Sequence, residues 1–151
     1  NEEKSLVGRL NYSPMLGVDL GGSFHVGAYD DAGEHTLAIC AVDGNFHRGP
    51  LDLRGEFATA NVDGAEEDGR SGFYGQVAYH FLPGVLRQFP NSTFTFAGRY
   101  DHIDLGNGDE TRYTVGVNFR PEEETVIKLD YEVYDRNDDS NGLIFSVASY
   151  F

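Results

Sequence analysis

Along most of the chain apolar and polar residues alternate one for one, the period of a β-strand whose two faces meet different surroundings. In Arg112-Tyr-Thr-Val-Gly-Val-Asn-Phe-Arg120 one parity carries Tyr113, Val115, Val117 and Phe119, and the other carries Arg112, Thr114, Asn118 and Arg120. Ile127, Leu129, Tyr131 and Val133 oppose Lys128, Asp130 and Glu132 in the same way, and Leu51, Leu53 and Phe57 oppose Asp52, Arg54 and Glu56. Phe94, Phe96 and Tyr100 oppose Thr95, Arg99 and Asp101, while Leu16, Val18, Leu20, Phe24 and Val26 oppose Asp19, Ser23 and His25. Turn signals bound these runs and predict nine strands, near 5–12, 16–29, 36–47, 51–60, 72–82, 93–103, 111–120, 125–134 and 143–151. Gly84-Val-Leu-Arg-Gln88, between two prolines, predicts one short helical turn, and no longer segment has a helical period.

Such a sheet has one greasy face and one ionic face, and parity alone leaves open which is inside. With the apolar face inward it is a soluble sandwich or barrel; with the apolar face outward it is a membrane barrel around water. Three features favour the second. Ser13-Pro14, Arg48-Gly-Pro50 and Arg120-Pro-Glu-Glu-Glu124 are short connections, whereas 30–34, 61–71, 103–110 and 135–142 are longer, glycine-rich and acidic. Short turns at one end and long loops at the other are the habit of outer-membrane barrels, with 83–91 as the exception here. Gly8, Gly22, Gly55, Gly75 and Gly98 interrupt the apolar face, leaving gaps that mobile acyl chains fill more readily than a close-packed core. Tyr12, Tyr29, Phe46, Phe73, Phe81, Tyr100, Phe119, Tyr131 and Phe151 fall near strand ends, as in the aromatic girdles of membrane interfaces. The expected fold is all-β, an antiparallel up-and-down transmembrane β-barrel.

Composition narrows the functions. Nineteen glycines, nine tyrosines and eleven phenylalanines suit strands and turns, and 151 residues suit one domain. A formal charge of −14 offers no basic field for nucleic acid, which is excluded as a partner. Cys40 is the one cysteine and cannot form an internal disulfide; its apolar neighbours make it a small buried or lipid-facing residue. No charged-then-apolar segment precedes Asn1, so a signal peptide has been removed, lies upstream of a truncated start, or never existed.

Val7-Gly-Arg-Leu-Asn-Tyr-Ser-Pro14, Val26-Gly-Ala-Tyr-Asp-Asp31 and His47-Arg-Gly-Pro-Leu-Asp-Leu-Arg-Gly-Glu56, together with the tail, resemble the C-terminal part of outer-membrane porins of the phosphate-selective porin type. The resemblance implies a larger barrel, commonly of sixteen strands and often trimeric, through which small hydrophilic solutes diffuse in the bacterial outer membrane. The chain is short for a whole porin of that type, and nine is an odd count where single-chain barrels have even ones. It is therefore read as the last nine strands of a longer barrel, with a complete small barrel of about eight to ten strands as the alternative. No lysine cluster accompanies the resemblance, so anion selectivity is not carried over.

The ionic parity gives the expected pore wall: Arg9, Asp19, His25, Asp43, His47, Asp52, Arg54, Glu56, His80, Arg99, Asp101, Arg112, Arg120, Lys128, Asp130 and Glu132. Counting histidine as neutral, six bases meet seven acids, a nearly balanced wall whose charges can pair across strands. Thirteen acids fall in the four longer loops: Asp30, Asp31, Glu34, Asp63, Glu66, Glu67, Asp68, Asp104, Asp109, Glu110, Asp135, Asp138 and Asp139. They could share divalent cations with lipopolysaccharide, best around 136–142, but that stretch lacks the spacing of a helix-loop-helix calcium site, and no metal or cofactor is expected. Tyr100-Asp-His-Ile-Asp104 is the only acid–histidine cluster that suggests catalysis, and adjacent Asp101 and His102 point to opposite faces of a strand, so no enzyme is expected. Leu143, Phe145, Val147 and Phe151 share one parity and resemble the C-terminal signal read by the barrel-assembly machinery, with Ser149 departing from that pattern. Outer-membrane lipid and lipopolysaccharide, the assembly machinery and a homotrimer are the expected partners. A passive pore, a plugged structural or adhesive barrel and a soluble binding domain are the competing functions.

Overall fold

The computed structural model describes residues 4–28, 35–63, 69–106, 108–135 and 141–150. Tyr29, the loop acids Asp30, Asp31, Glu34, Glu66, Glu67, Asp68, Asp138 and Asp139, and Phe151 lie outside them. The described residues form β1 (Leu6–Met15), β2 (Val18–Ala28), β3 (Thr36–Arg48), β4 (Leu51–Val62), β5 (Arg70–Phe81), β6 (Thr93–Asp104), β7 (Asp109–Glu122), β8 (Thr125–Asp135) and β9 (Gly142–Ser149). These make one antiparallel sheet in which each strand pairs with its sequence neighbours, from β1 to β9 in order. Short connections dictate that order, because antiparallel neighbours can be joined by a tight turn. Within the described residues β1 and β9 do not pair with each other, and the sheet is open.

The structure corrects the expected strand ends in three places. β1 does not stop before a Ser13-Pro14 turn: a bulge between Tyr12 and Met15 absorbs Pro14, whose missing N–H is tolerated on an edge strand. The turn falls instead at Leu16-Gly17, where Gly17 has φ 82° and its carbonyl accepts the His47 N–H at 2.7 Å. β6 and β7 run further than expected and leave only 105–108 between them. The segment 84–88 is no helical turn, because Leu82 (φ 50°) and Gly84 (φ 65°) turn the backbone out of the helical region. There the chain folds back through an isolated bridge between Leu86 and Phe89, and the Gly84 N–H donates to the Ser92 carbonyl at 2.7 Å.

Register aligns the apolar parities of all nine strands on one face. One row runs Val18, Phe46, Leu53, Val77, Gly98, Val115, Tyr131, Leu143 across eight strands. That face is the open one: Val115 and Val117, in the middle of the sheet, are 48% and 41% exposed. Gly27, Ala78, Asp101 and Gly116 all lie on the opposite, polar face and, with Ser92, are the buried residues among those described. The sheet therefore curls round its ionic side, and its greasy side has no protein cover.

The apolar belt also slips from strand to strand. On β2 its uppermost large residue is Val26, whereas Leu143, the uppermost on β9, is level with Val18, eight residues lower after seven strand-to-strand steps. At the other edge the belt ends at Val18 on β2 and runs four residues below that level, to Val147, on β9. With a rise of about 3.4 Å per residue and about 4.8 Å between strands, the slips at the two edges tilt the strands by roughly 20–40° from the belt's normal.

Candidate functional site

By cross-strand row or by parity along its strand, every residue expected on the wall lies on the concave ionic face. One row runs Asp19, Asn45, Arg54, Gln76, Arg99, Thr114, Glu132, and the next runs Gly21, Asp43, Glu56, Tyr74, Asp101, Arg112, Tyr134. Arg120, Lys128 and Asp130 belong to the same face through Thr93, Asn118 and Gly116. His25 lies at its loop end opposite Ile39, with Nδ1 buried and unpaired.

Ion pairs stitch the strands together in three places. Arg99 lies 3.8 Å over the Tyr74 ring and donates through Nη2 to Asp101 Oδ1 at 2.6 Å. Arg112 Nε reaches Asp101 Oδ2 at 3.4 Å, and its Nη1 lies 3.6 Å from Glu132 Oε1, while the Tyr134 hydroxyl donates to Glu132 Oε2 at 2.8 Å. One chain of alternating charge thereby joins β6, β7 and β8, and the Tyr74 ring ties it to β5. Water reaches both arginines, so each pair contributes about 0.2–1 kcal/mol rather than the value of a dry pair.

The second stitch crosses a whole strand. Arg9 on β1 donates to Asp43 on β3 at 2.9 Å, passing over Gly21 of β2. A Cβ at position 21 would strike both the Asp43 carboxylate and the Arg9 guanidinium, so glycine is the residue that allows this bridge. The third lies towards the turn end: the Asp52 carboxylate sits between His47 and His80, with His80 Nε2 at 2.7 Å, and His80 Nδ1 pairs with Thr95 Oγ1 at 2.7 Å.

Between the stitches are hollows. One of about 470 Å³ at the loop end has an apolar floor of Ile39, Ala58, Ala60 and Ile103 beside Glu56 and Arg70. Another of about 630 Å³ at the turn end is lined by Asp52, His80, Thr95, Asn118, Arg120 and Lys128. Arg120 and Lys128 make no ion pair among the described residues, so this hollow keeps uncommitted positive charge.

The sequence reading left Tyr74, Tyr134 and Arg70 off the ionic face and counted Glu110 among the loop acids; all four lie on that face. The signal was available, since Tyr74 has the parity of Gln76 and His80, but a tyrosine invites assignment to the greasy side. The apolar floor of Ile39, Ala58, Ala60 and Ile103 was missed for the same reason. Asp101 and His102 part company as expected: Asp101 joins the arginines, whereas His102 faces outward to Thr111 Oγ1 at 3.2 Å and to the Phe73 ring. Cys40 is exposed on the outward face, paired with Phe24 and Thr59. Among the described residues no group of three His, Cys, Asp or Glu could hold a metal ion. Among the described residues no helix is long and apolar enough to cross a membrane, which says nothing about crossing by strands.

The outward belt carries aromatic contacts at both edges. At the loop end Tyr100 lies 5.7 Å from Phe73 and 5.1 Å from Tyr113; at the turn end Phe94 stacks on Phe119 at 4.7 Å, with Phe81 at 5.9 Å. Leu143, Phe145 and Val147 continue the belt on β9, and Ser149 shares their side.

The family model of phosphate-selective porin O and P matches residues 27–143. No curated protein matches the chain. A solved chain from work described as "Unveiling the Mechanism Behind the in-meso Crystallization of Membrane Proteins" is 14% identical, over 96% of this chain and 75% of that one, with a TM-score of 0.38.

Proposed function

Because the chain belongs to the phosphate-selective porin O and P family, a family of channels in the bacterial outer membrane, we propose that its ionic face lines a passive pore for small hydrophilic solutes or ions. The observation that carries this reading is the inverted sheet: valines and phenylalanines face out, while paired arginines and carboxylates are sheltered within the curl. Lipid satisfies the first face and water the second. The wall residues are Arg9, Asp19, His25, Asp43, Asp52, Arg54, Glu56, Arg99, Asp101, Arg112, Arg120, Lys128, Asp130 and Glu132. Paired charges hold the wall in shape, and the uncommitted Arg120 and Lys128 set a positive field near the turn end.

The unpaired edges of β1 and β9 support a larger barrel, in which these nine strands are one arc. A homotrimer, and recognition of Leu143, Phe145, Val147 and Phe151 by the assembly machinery, belong to the same proposal. Loop acids sharing divalent cations with lipopolysaccharide would sit at the outer rim. Planar-bilayer recording tests the pore: discrete conductance steps are expected on insertion, and a protein that inserts without conducting is a sealed barrel. Deleting Phe151 should lower the amount of assembled barrel in cells; unchanged surface levels would remove the assembly signal from the reading.

A further inference from the structure

The connection 82–92 separates β5 from β6 at the end where Leu16-Gly17, Gly49-Pro50 and Glu123-Glu124 need only two residues each. Its extra length is built rather than loose. The Val85 N–H donates to the Leu82 carbonyl, Phe89 to Leu86 at 2.9 Å and Ser92 to Phe89 at 3.0 Å, which holds 82–92 in successive tight turns. Gly84 is required there, because a Cβ would lie 2.6 Å from the Pro90 carbonyl oxygen in addition to the positive φ.

This ordered backbone displays apolar side chains to the outside: Leu82 and Val85 are each 52% exposed, Leu86 38% and Phe89 36%. Phe89 gives their position. Its ring meets Phe119 edge-on at 6.5 Å, and Phe119 stacks on Phe94 within the outward aromatic cluster. The knob is thus continuous with the greasy belt. The neighbouring connection, Glu122 to Glu124, carries three acids and no comparable apolar group. Arg87, exposed beside Leu86, adds a cation that could reach a lipid phosphate.

We infer that 82–92 is a membrane-interface anchor, seating Leu82, Val85 and Leu86 at the headgroup–acyl boundary of the phospholipid leaflet at the turn end, with Arg87 on the phosphates. The inference rests on the membrane-barrel reading. An apolar knob with a snorkelling cation satisfies both zones of that boundary, whereas in water it would leave four large apolar side chains uncovered. The anchor fixes the height of β5 and β6 in the bilayer, and with them the position of the turn-end hollow.

These 151 residues contain no tryptophan, so one introduced here, with any elsewhere in the barrel replaced by phenylalanine, reports its own surroundings. Leu86→Trp, with Val85→Trp as a second variant should the first not fold, is reconstituted into phosphatidylcholine–phosphatidylglycerol vesicles with and without brominated acyl chains. Val117→Trp in the outward belt and Glu123→Trp in the acidic turn serve as references. Bromolipid should quench the emission of Leu86→Trp and Val117→Trp at least about twofold and leave Glu123→Trp unchanged. A quenched Val117→Trp beside an unquenched, iodide-accessible tryptophan at 85 or 86 overturns the anchor and leaves the barrel reading standing. Absence of both bromolipid and iodide quenching at 85 and 86 assigns the knob to a protein contact and likewise overturns it. Loss of quenching at Val117→Trp overturns the membrane reading and the anchor with it.

Discussion

The two faces of this sheet carry side chains of similar size from alternate positions of the same strands, yet they are built on opposite rules. Away from its aromatic edges and the Gly8–Phe24 contact, the greasy face has residues that scarcely specify one another. Gly75 has nothing within 4 Å of where its Cβ would be, and Val117 needs only some apolar medium around it. On the ionic face individual partners matter: Arg99 has a ring beneath it and a carboxylate at its edge, and Arg9 depends on a missing side chain at position 21. A lipid-facing surface can be satisfied by composition; a wall of charges in a small curl must be satisfied by geometry.

The largest test of that contrast uses two neighbouring residues. Val117→Lys should destabilise the protein in vesicles by about 2–4 kcal/mol, the cost of a cation in the hydrocarbon, whereas Asn118→Lys, one residue along and facing inward, should cost about 1 kcal/mol or less through repulsion by Lys128. Urea unfolding of the two in parallel measures the difference, and equal penalties would abolish the distinction between the faces. Phe94→Ala should come next, losing its stacking on Phe119 and its contact with Phe81 for about 1–2 kcal/mol in the same assay. A loss no larger than that of an isolated outward leucine would mean the turn-end cluster is coincidental.

Smaller effects belong to the wall. Arg112→Gln removes the cation shared by Asp101 and Glu132, and bi-ionic reversal potentials should move about twofold towards cations with little change in stability. An unmoved potential would place that network away from the conducting path. Smallest is Gly21→Val, which should displace Arg9 from Asp43; its effect on salt-dependent unfolding should disappear in an Arg9→Ala background. A full effect in that background would mean position 21 acts through Asp43 or the backbone rather than through the ion pair.

Much of the fold was legible because period-two alternation reports faces directly, and the nine runs needed only their turn signals to be counted. Which residues share the ionic face was legible for the same reason. Its pairing was not: Arg9 and Asp43 are 34 residues apart on strands that are not neighbours, and the choice rests on which glycine lies between them. Arg99 and Asp101 pair along one strand, where a cross-strand rule would look sideways. The segment 84–88 misled because a short apolar run between prolines reads as a helical turn until the backbone signs at Leu82 and Gly84 are known.

The slip of the belt has one more implication. Cross-strand rows run perpendicular to the strands, so in a sheet whose strands lean by roughly 20–40° those rows lean by the same amount from the membrane plane. The charges of Arg54, Arg99 and Glu132, or of Asp43, Asp101 and Arg112, therefore do not form level rings. They wind along the ionic face like the thread of a screw, each charge displaced both sideways and in height from the last.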